Sequence, residues 1–197
     1  MATTIKRDFE FSTGVHFEGT YYINTFDLTL TMSVETSSIR EQNIALDRIK
    51  YFLYECLENS VMVDSNDKKA IDKYTAAGMK VCSLPEEPYD QIVLLIVATK
   101  INAITEGRLL LTAIELKSHL SDEVSFVYDF ETIILTNPHK KGWWMDSTTN
   151  ISDIKFTNKK EKIVKLVKPS DWGNAQLDWQ ERTVKSTEII FTADPEK

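Results

Sequence analysis

The side chains able to carry acid–base or metal chemistry are few in this chain and form no familiar motif. Only three histidines occur among its 197 residues, and two stand near an acidic residue: His16 with Glu18, and His119 with Asp122. An imidazole beside a carboxylate can bind a metal ion or transfer a proton. Neither pair has a third partner at a defined spacing, so a structural role is the favoured interpretation of both.

One further carboxylate has a position of interest. Glu115 lies at the end of the apolar face of the segment LLLTAIEL. A carboxylate there can accept two N–H groups at once, with charge assistance, from the edge of a guanine-like base. The alternative is a solvent-facing strand residue beside Lys117, and the sequence leaves both possibilities open.

The two cysteines are predicted to have a structural role. Cys56 and Cys82 form no CxxC motif and lie in apolar surroundings, which indicates two buried free thiols in a reducing compartment.

The first residues lack the apolar stretch of a signal peptide. The longest apolar run, 92–98, is too short to cross a bilayer, which needs about 20 residues. We therefore expect a cytoplasmic protein without membrane partners.

Charge and composition argue against binding of nucleic acid. The net charge is −7 and the isoelectric point about 5.1, so a polyanion is repelled. The lysine-rich stretch 155–168 favours a solvated edge segment over a phosphate-binding one. No phosphate loop and no hydrolase or metalloprotease motif is present.

The elements that must position these residues follow from periodicity. The sequence predicts two long strands, over 4–12 and 20–36, and then a helix over 40–58. A small insertion over 60–83 and a second helix over 86–105 follow. Two more strands are predicted over 108–118 and 122–135. A loop is predicted over 13–20. Ser38 with Glu41 and Ser83 with Glu86 have the spacing of capping boxes at the two helix starts. The fold class is α+β, with a four-stranded antiparallel sheet and two helices on one face.

The second strand shows the clearest pattern. From Phe26 to Val34 apolar residues alternate with Asp27, Thr29, Thr31 and Ser33. One face of this strand is therefore apolar, and the other is rich in hydroxyl groups.

The composition changes near residue 136, where a C-terminal extension begins. All four tryptophans lie beyond it, at 143, 144, 172 and 179. They favour packing of the extension onto the main domain, the alternative being a stacking platform for bases or sugars. We predict a main domain over 1–136 and a β-rich extension over 137–197.

The order of elements resembles the tunnelling fold (T-fold) of pterin- and purine-binding enzymes. Three phrases are similar to those of the 6-pyruvoyl- and 6-carboxy-tetrahydropterin synthases: FEFSTGVHF at the first strand, LPEEPYDQIVLLI at the second main helix, and LLLTAIELKS. The resemblance covers roughly residues 5–130. It implies that Glu115 occupies the position of the carboxylate that anchors the substrate base.

The sequence departs from this family at its zinc site. The resemblance places Tyr22 and Asn24 where two zinc-binding histidines would stand, and neither is a usual zinc ligand. His16 lies close to the first ligand position. The family's Leu-Asp-His phrase is replaced by CLENSVMVD, and no cysteine precedes the second strand as a nucleophile. We predict no metal, no cofactor and no synthase reaction.

The resemblance also implies how such a chain assembles. In this fold, subunits join edge to edge into a closed barrel around a channel, with the helices outside. We therefore predict a homo-oligomer whose hydroxyl-rich strand face lines the channel, and a purine- or pterin-like ligand at Glu115. The alternatives are an enzyme of pterin or deazaguanine metabolism with an altered site, or a structural or interaction protein of viral or mobile-element origin without a ligand.

Overall fold

A six-stranded mixed sheet flanked by three α-helices is the framework of the chain. The computed structural model describes residues 3–121, 124–129, 142–148, 172–173 and 175–180. In chain order the elements are β1 (Thr3–Phe17), β2 (Thr20–Val34), α1 (Ile39–Lys50), a π-helical segment (Tyr51–Leu57), β3 (Ser60–Asp64), α2 (Lys68–Ala76), β4 (Lys80–Leu84), α3 (Asp90–Thr105), β5 (Leu109–Ser118), β6 (Ser125–Asp129) and a 3₁₀ turn (Trp143–Met145). The strands lie side by side in the order β4-β3-β1-β2-β5-β6.

The sheet is larger than the predicted four-stranded antiparallel one. The insertion between the main helices contributes β3 and β4, which are parallel to each other and, through Gly14 and Val15, to β1. A strand–helix–strand unit of this kind forms a parallel pair because the intervening helix returns the chain to the same end of the sheet. The predicted α+β class holds, but the sheet is mixed.

The two long strands form one hairpin that extends further than predicted. Residues 13–20 are not a loop: β1 continues to Phe17, and β2 begins at Thr20. The turn between them consists of Glu18 and Gly19, both with positive φ, 47° and 76°. A two-residue turn of this conformation suits the right-handed twist of the paired strands.

The apolar face of β2 packs under α1 and α3, as the alternation predicts. Phe26, Leu28, Leu30 and Met32 are each at most 1% exposed, whereas Val34 is only half-buried. They share one core with Ile49 of α1, Val97 of α3 and other side chains of these helices. Burial at this scale is the main source of stability for the fold.

The third helix, α2, lies on the opposite face of the sheet. It packs its Ile71 and Tyr74 against Val61 and Val81, while the alternate strand residue Cys82 belongs to the main core. Since successive residues of a strand point to opposite faces, α2 covers part of the face that the two main helices leave uncovered.

The helix starts agree with the sequence at α1 and differ at α3. Ser38 caps α1 by accepting from the amide of Glu41 at 3.3 Å. The predicted box of Ser83 and Glu86 is wrong, because α3 begins at Asp90. Pro88 explains the difference, since proline disfavours helical conformation in the residue before it.

Candidate ligand-binding face

The hydroxyl-rich face of β2 forms the centre of a polar surface on the sheet. Thr29 lies opposite Asp8 of β1 on one side and Glu115 of β5 on the other. The Thr29 hydroxyl donates to Asp8 Oδ1 at 2.6 Å. This row places two carboxylates on either side of one hydroxyl, all on the face that α1 and α3 do not cover.

Unlike Asp8 and Thr29 of the same row, Glu115 has no polar partner among the described residues. Its side chain is half-buried, and within the described residues its carboxylate makes neither a hydrogen bond nor an ion pair, including with Lys117. A half-buried carboxylate without a donor can accept from a ligand. The structure thus shows an acceptor at the predicted position; a ligand there stays a prediction.

The next row of this face is held by His119. Its Nε2 lies 3.0 Å from Asp27 Oδ2, and both side chains are exposed. The partner predicted from the sequence, Asp122, lies outside the described residues.

His16 takes part in a partly buried set of hydrogen bonds, but with partners other than Glu18. Its Nδ1 lies 2.9 Å from the Tyr74 hydroxyl, and its Nε2 lies 3.3 Å from Asp67 Oδ2. Asp67 also caps α2 by accepting from the amide of Ala70 at 3.0 Å. This arrangement fixes α2 onto the sheet.

Two side chains of this hydrogen-bonded set, Asp67 and Tyr74, have shifted pKa values. Hydrogen bonding from the Ala70 amide, with help from His16, lowers the pKa of Asp67. Burial, together with Tyr21 and Asp67, raises the pKa of Tyr74. Tyr74 is therefore held as a neutral hydroxyl and Asp67 as a carboxylate at neutral pH.

Tyr22 and Asn24, which the resemblance places where zinc ligands would stand, lie on the opposite face of the sheet from His16. His16 pairs with Tyr21, whereas Tyr22 and Asn24 belong to the alternate face of β2. Asn24 is buried and donates to the Ser118 hydroxyl at 2.7 Å. In the part of the chain that the structure describes, no three His, Cys, Asp or Glu side chains are grouped so that they could hold a metal ion.

Both thiols are buried, as predicted. Burial raises the pKa of Cys56 to about 11 and raises that of Cys82 still further. Both sulfurs stay protonated near neutral pH and are poor nucleophiles.

Two buried cations, neither of them predicted from the sequence, hold the described parts of the extension. The first is Arg48 of α1, which is 1% exposed. Its Nε donates to the Leu177 carbonyl at 2.9 Å, and its Nη1 donates to the Ile104 carbonyl at 3.0 Å and to Glu106 Oε1 at 2.9 Å. Burial lowers the pKa of Arg48, while Glu106 opposes this shift.

Two tryptophans enclose the same guanidinium group. Arg48 Cζ lies 3.7 Å from the ring centroid of Trp179 and 4.5 Å from that of Trp172. Trp179 Nε1 donates to Glu106 Oε2 at 2.9 Å. The predicted role of these tryptophans in packing the extension onto the domain is thus seen for the residues described.

The second buried cation is Lys100 of α3, which is fully buried. Its ammonium group donates to the carbonyls of Trp143, Asp146 and Thr148 at 2.8, 2.7 and 2.7 Å. Burial lowers the pKa of Lys100 to about 8. Arg48 and Lys100 each interrupt an apolar helical stripe, and that interruption is the sequence signal that could have identified them.

Three predictions concern residues that the structure leaves undescribed. The lysine-rich stretch 155–168, the β-rich character of most of the extension and the domain boundary at 136 all lie outside the described residues. They stay predictions. Within the described residues, no helix is both long and apolar enough to cross a membrane.

Comparisons with known proteins yield likenesses in structure only. No family model and no curated protein matches the chain. An uncharacterized protein from Wolinella succinogenes is similar with a TM-score of 0.44 and 8% identity, covering 66% of this chain and 98% of the other. A catalytic residue mutant of 6-pyruvoyltetrahydropterin synthase from Plasmodium vivax is similar with a TM-score of 0.41 and 9% identity, covering 65% and 97%. At these values the likeness concerns the fold alone.

Proposed function

We propose that the chain is a homo-oligomeric protein that binds a planar purine- or pterin-like base through Glu115. The observation that supports this is the state of that carboxylate. It is half-buried, central on the polar face of the sheet and without a polar partner in the described residues. Leaving such a group without a partner is unfavourable unless a ligand or water supplies the donors.

The chemistry of a guanine-like edge suits this acceptor. Such an edge presents two N–H groups side by side, and a carboxylate accepts both with charge assistance. Partial burial strengthens these bonds relative to water, because the surrounding dielectric is lower. Thr29, beside Glu115 on β2, is already engaged with Asp8, so the carboxylate is the recognition group of this row.

A single copy offers only one wall for such a ligand. Sites for small molecules are concave and enclose most of the ligand surface, whereas Glu115 projects from the middle of a sheet face. A second copy of the chain would supply the opposite wall. The binding proposal and the homo-oligomer therefore belong together.

The proposed function does not include the tetrahydropterin synthase reaction. His16 is engaged by Tyr74 and Asp67, and Asn24 is engaged by Ser118. These side chains serve packing and helix capping, and none is directed with Glu115 at a common point.

Isothermal titration calorimetry with guanine and with pterin, each alone, tests the proposal. The substitution Glu115→Gln keeps the size of the side chain and removes its charge, so we expect the affinity to fall at least tenfold. The matched control is Glu55→Gln, which removes an exposed carboxylate from the π-helical segment and should leave the affinity unchanged.

Two results would contradict the proposal. Equal affinity of the wild type and Glu115→Gln would show that this carboxylate is not the anchor. If the wild type bound neither base, the ligand class would be wrong, and a structural or interaction protein would become the better interpretation.

A further inference from the structure

A groove lies on the helix side of the sheet, between β1 and the helical segments that pack beside it. Its volume is about 260 Å³, and it is lined by Arg7, Asp8 and Phe9 of β1, Leu46 and Lys50 of α1, and Tyr54 of the π-helical segment. Glu115 belongs to the other face of the sheet, so this groove is separate from the proposed base-binding face.

Arg7 is a charged residue on an otherwise apolar stretch of one strand face. Ile5, Phe9 and Phe11 occupy the same face of β1 and pack against the main core. Arg7 itself lies opposite Leu30 of β2, whose side chain is fully buried. The chain therefore has a guanidinium group where the alternation of the strand favours an apolar side chain.

The guanidinium group of Arg7 has donors to spare. Its side chain is exposed, and within the described residues it makes neither a hydrogen bond nor an ion pair. The carboxylate of Asp8 is no substitute, because it lies on the opposite face and accepts from Thr29. A guanidinium group presents its N–H donors as a planar fork that matches a carboxylate. Arg7 can therefore bind an anion at this groove.

Lys50 places a second positive charge beside the groove. Its Nζ donates to Asp47 Oδ1 of the same helix at 2.9 Å, and both side chains are exposed. Such an exposed pair is weak, and an ammonium group has three donors. In a chain of net charge −7, two neighbouring cations form a local region that attracts small anions.

The floor of the groove is apolar and aromatic. The ring centroids of Phe9 and Tyr54 lie 6.5 Å apart, with the ring planes inclined at 59°. Tyr54 is 39% exposed, and Phe9 and Leu46 are half-buried. A planar ring placed on this floor makes edge-to-face and offset contacts of the kind that aromatic pairs prefer.

The π-helical segment presents Tyr54 to the groove. The amide of Glu58 donates to the carbonyl of Leu53, five residues back, at 2.9 Å. The buried side chains of the segment are Phe52, Leu53, Cys56 and Leu57, which leaves Tyr54 on the outer side. π-Helical turns are rare and occur frequently at functional sites. This local geometry is an observation independent of charge that points to the same groove.

The volume and the lining together define the ligand. Pockets for drug-sized molecules measure about 300–1,000 Å³, so this smaller groove accommodates one or two aromatic rings. An inorganic anion leaves the rings of Phe9 and Tyr54 uncovered, and a hydrocarbon leaves Arg7 unpaired. A small planar molecule that carries one carboxylate satisfies both.

We propose that this groove binds a small aromatic carboxylate, with the carboxylate on Arg7 and the ring against Phe9 and Tyr54. Two parallel N–H···O bonds from the guanidinium group fix the orientation of the ligand, and Lys50 adds attraction. The site shares no lining residue with the recognition of a base by Glu115. The inference therefore goes beyond the proposed function and does not depend on it.

Isothermal titration calorimetry of the full chain with naphthoate tests the site. We expect one binding event per chain. Arg7→Gln removes the charge, and the affinity should fall at least tenfold, whereas Arg7→Lys keeps the charge without the fork and should lose less. Lys69→Gln is the matched control, because it removes an exposed cation from α2, and it should bind like the wild type.

Comparison ligands test each part of the chemistry separately. Naphthamide has the same rings without the charge, and inorganic phosphate has the charge without the rings; each should bind at least tenfold more weakly than naphthoate. Tyr54→Ala should weaken the binding of naphthoate and leave that of phosphate unchanged. Circular dichroism checks the fold of each variant, and if Tyr54→Ala is misfolded, the comparison of ligands on the wild type decides.

Three results overturn the proposal. They are a wild type that does not bind naphthoate, equal affinity of the wild type and Arg7→Gln, and equal affinity for naphthoate and either comparison ligand. The outcome is independent of the proposed function. Glu115→Gln should bind naphthoate like the wild type, and Arg7→Gln should bind guanine like the wild type, so each site can fail without the other.

Discussion

Replacing Arg48 tests whether a buried cation fixes the extension onto the helices. In Arg48→Met the three hydrogen bonds to Leu177, Ile104 and Glu106 are lost, and Glu106 keeps a carboxylate oxygen without its partner. Because the Glu106 side chain is 35% exposed, the loss comes mainly from the two carbonyls that lose their donor, and each such group costs about 1–3 kcal/mol when it is left unsatisfied. For a chain of this length, a combined loss of about 2–6 kcal/mol amounts to a fall in Tm of roughly 4–24 °C.

The assay is urea denaturation followed by circular dichroism and by tryptophan fluorescence. Because Trp172 and Trp179 stack on Arg48, their emission should shift to longer wavelength in Arg48→Met even before global unfolding. Lys50→Met is the matched control. Lys50 is an exposed member of a pair with Asp47 on the same helix, and exposed pairs contribute about 0–1 kcal/mol.

A double-mutant cycle with Glu106→Gln separates the ion pair from the packing. We expect the combined loss to be smaller than the sum of the two single losses, because each single variant leaves the other charge without its partner. If Arg48→Met unfolds within about 1 kcal/mol of the wild type, the reasoning is refuted, since two carbonyls that lose their donor should together cost more than that.

The remaining predictions concern pH. Burial lowers the pKa of Lys100 to about 8 from 10.5, so between these pH values the unfolded chain binds more protons than the native one. The free energy of unfolding should therefore rise with pH in this window. Denaturation at pH 7.5 and at 9.5 should show this rise in the wild type and should not show it in Lys100→Met. Asp67 gives a slope of the same sign in the acid range: its pKa is lowered in the folded state, so its stabilising contribution is present above its ordinary pKa and is lost as the pH falls through the folded value. Acid denaturation of Asp67→Asn should lose that part of the pH dependence, and an unchanged acid midpoint and slope would contradict the role of Asp67.

Local sequence patterns predicted the helices and strands well where one face of the element is buried and the other is exposed to solvent. The alternation from Phe26 to Met32 identified the core face of β2, and Ser38 identified the start of α1. Both signals depend only on neighbours in the chain and on burial of one face.

The predictions of secondary structure failed where contacts between residues far apart in sequence determine the structure. Gly14 indicated a loop, yet it lies inside β1; a Cβ there would be 2.6 Å from the ring of Tyr21 on the paired strand. The entry of β3 and β4 into the main sheet depends on pairing between residues far apart in sequence. The spacing of apolar residues along the chain carries no information about either of these contacts.

The sequence predicted one residue of the candidate site, Glu115, and the hydroxyl-rich strand face beside it. Glu115 was placed by the family resemblance, and the structure adds that its carboxylate has no partner among the described residues. The partners of His16 could not be predicted, because Asp67 and Tyr74 reach it only after α2 packs on the sheet. Lysine and arginine are rarely fully buried, which is why Arg48 and Lys100 were overlooked.

The way these two cations bind has a consequence for how the chain can evolve. Lys100 holds the carbonyls of Trp143, Asp146 and Thr148, and Arg48 holds that of Leu177. A carbonyl is present whatever the side chain, so substitutions at 146, 148 and 177 preserve these bonds. Sequence drift in the extension is therefore tolerated at its docking points, whereas the two helix positions are constrained; related chains should show variable extensions attached to an unchanging arginine and lysine.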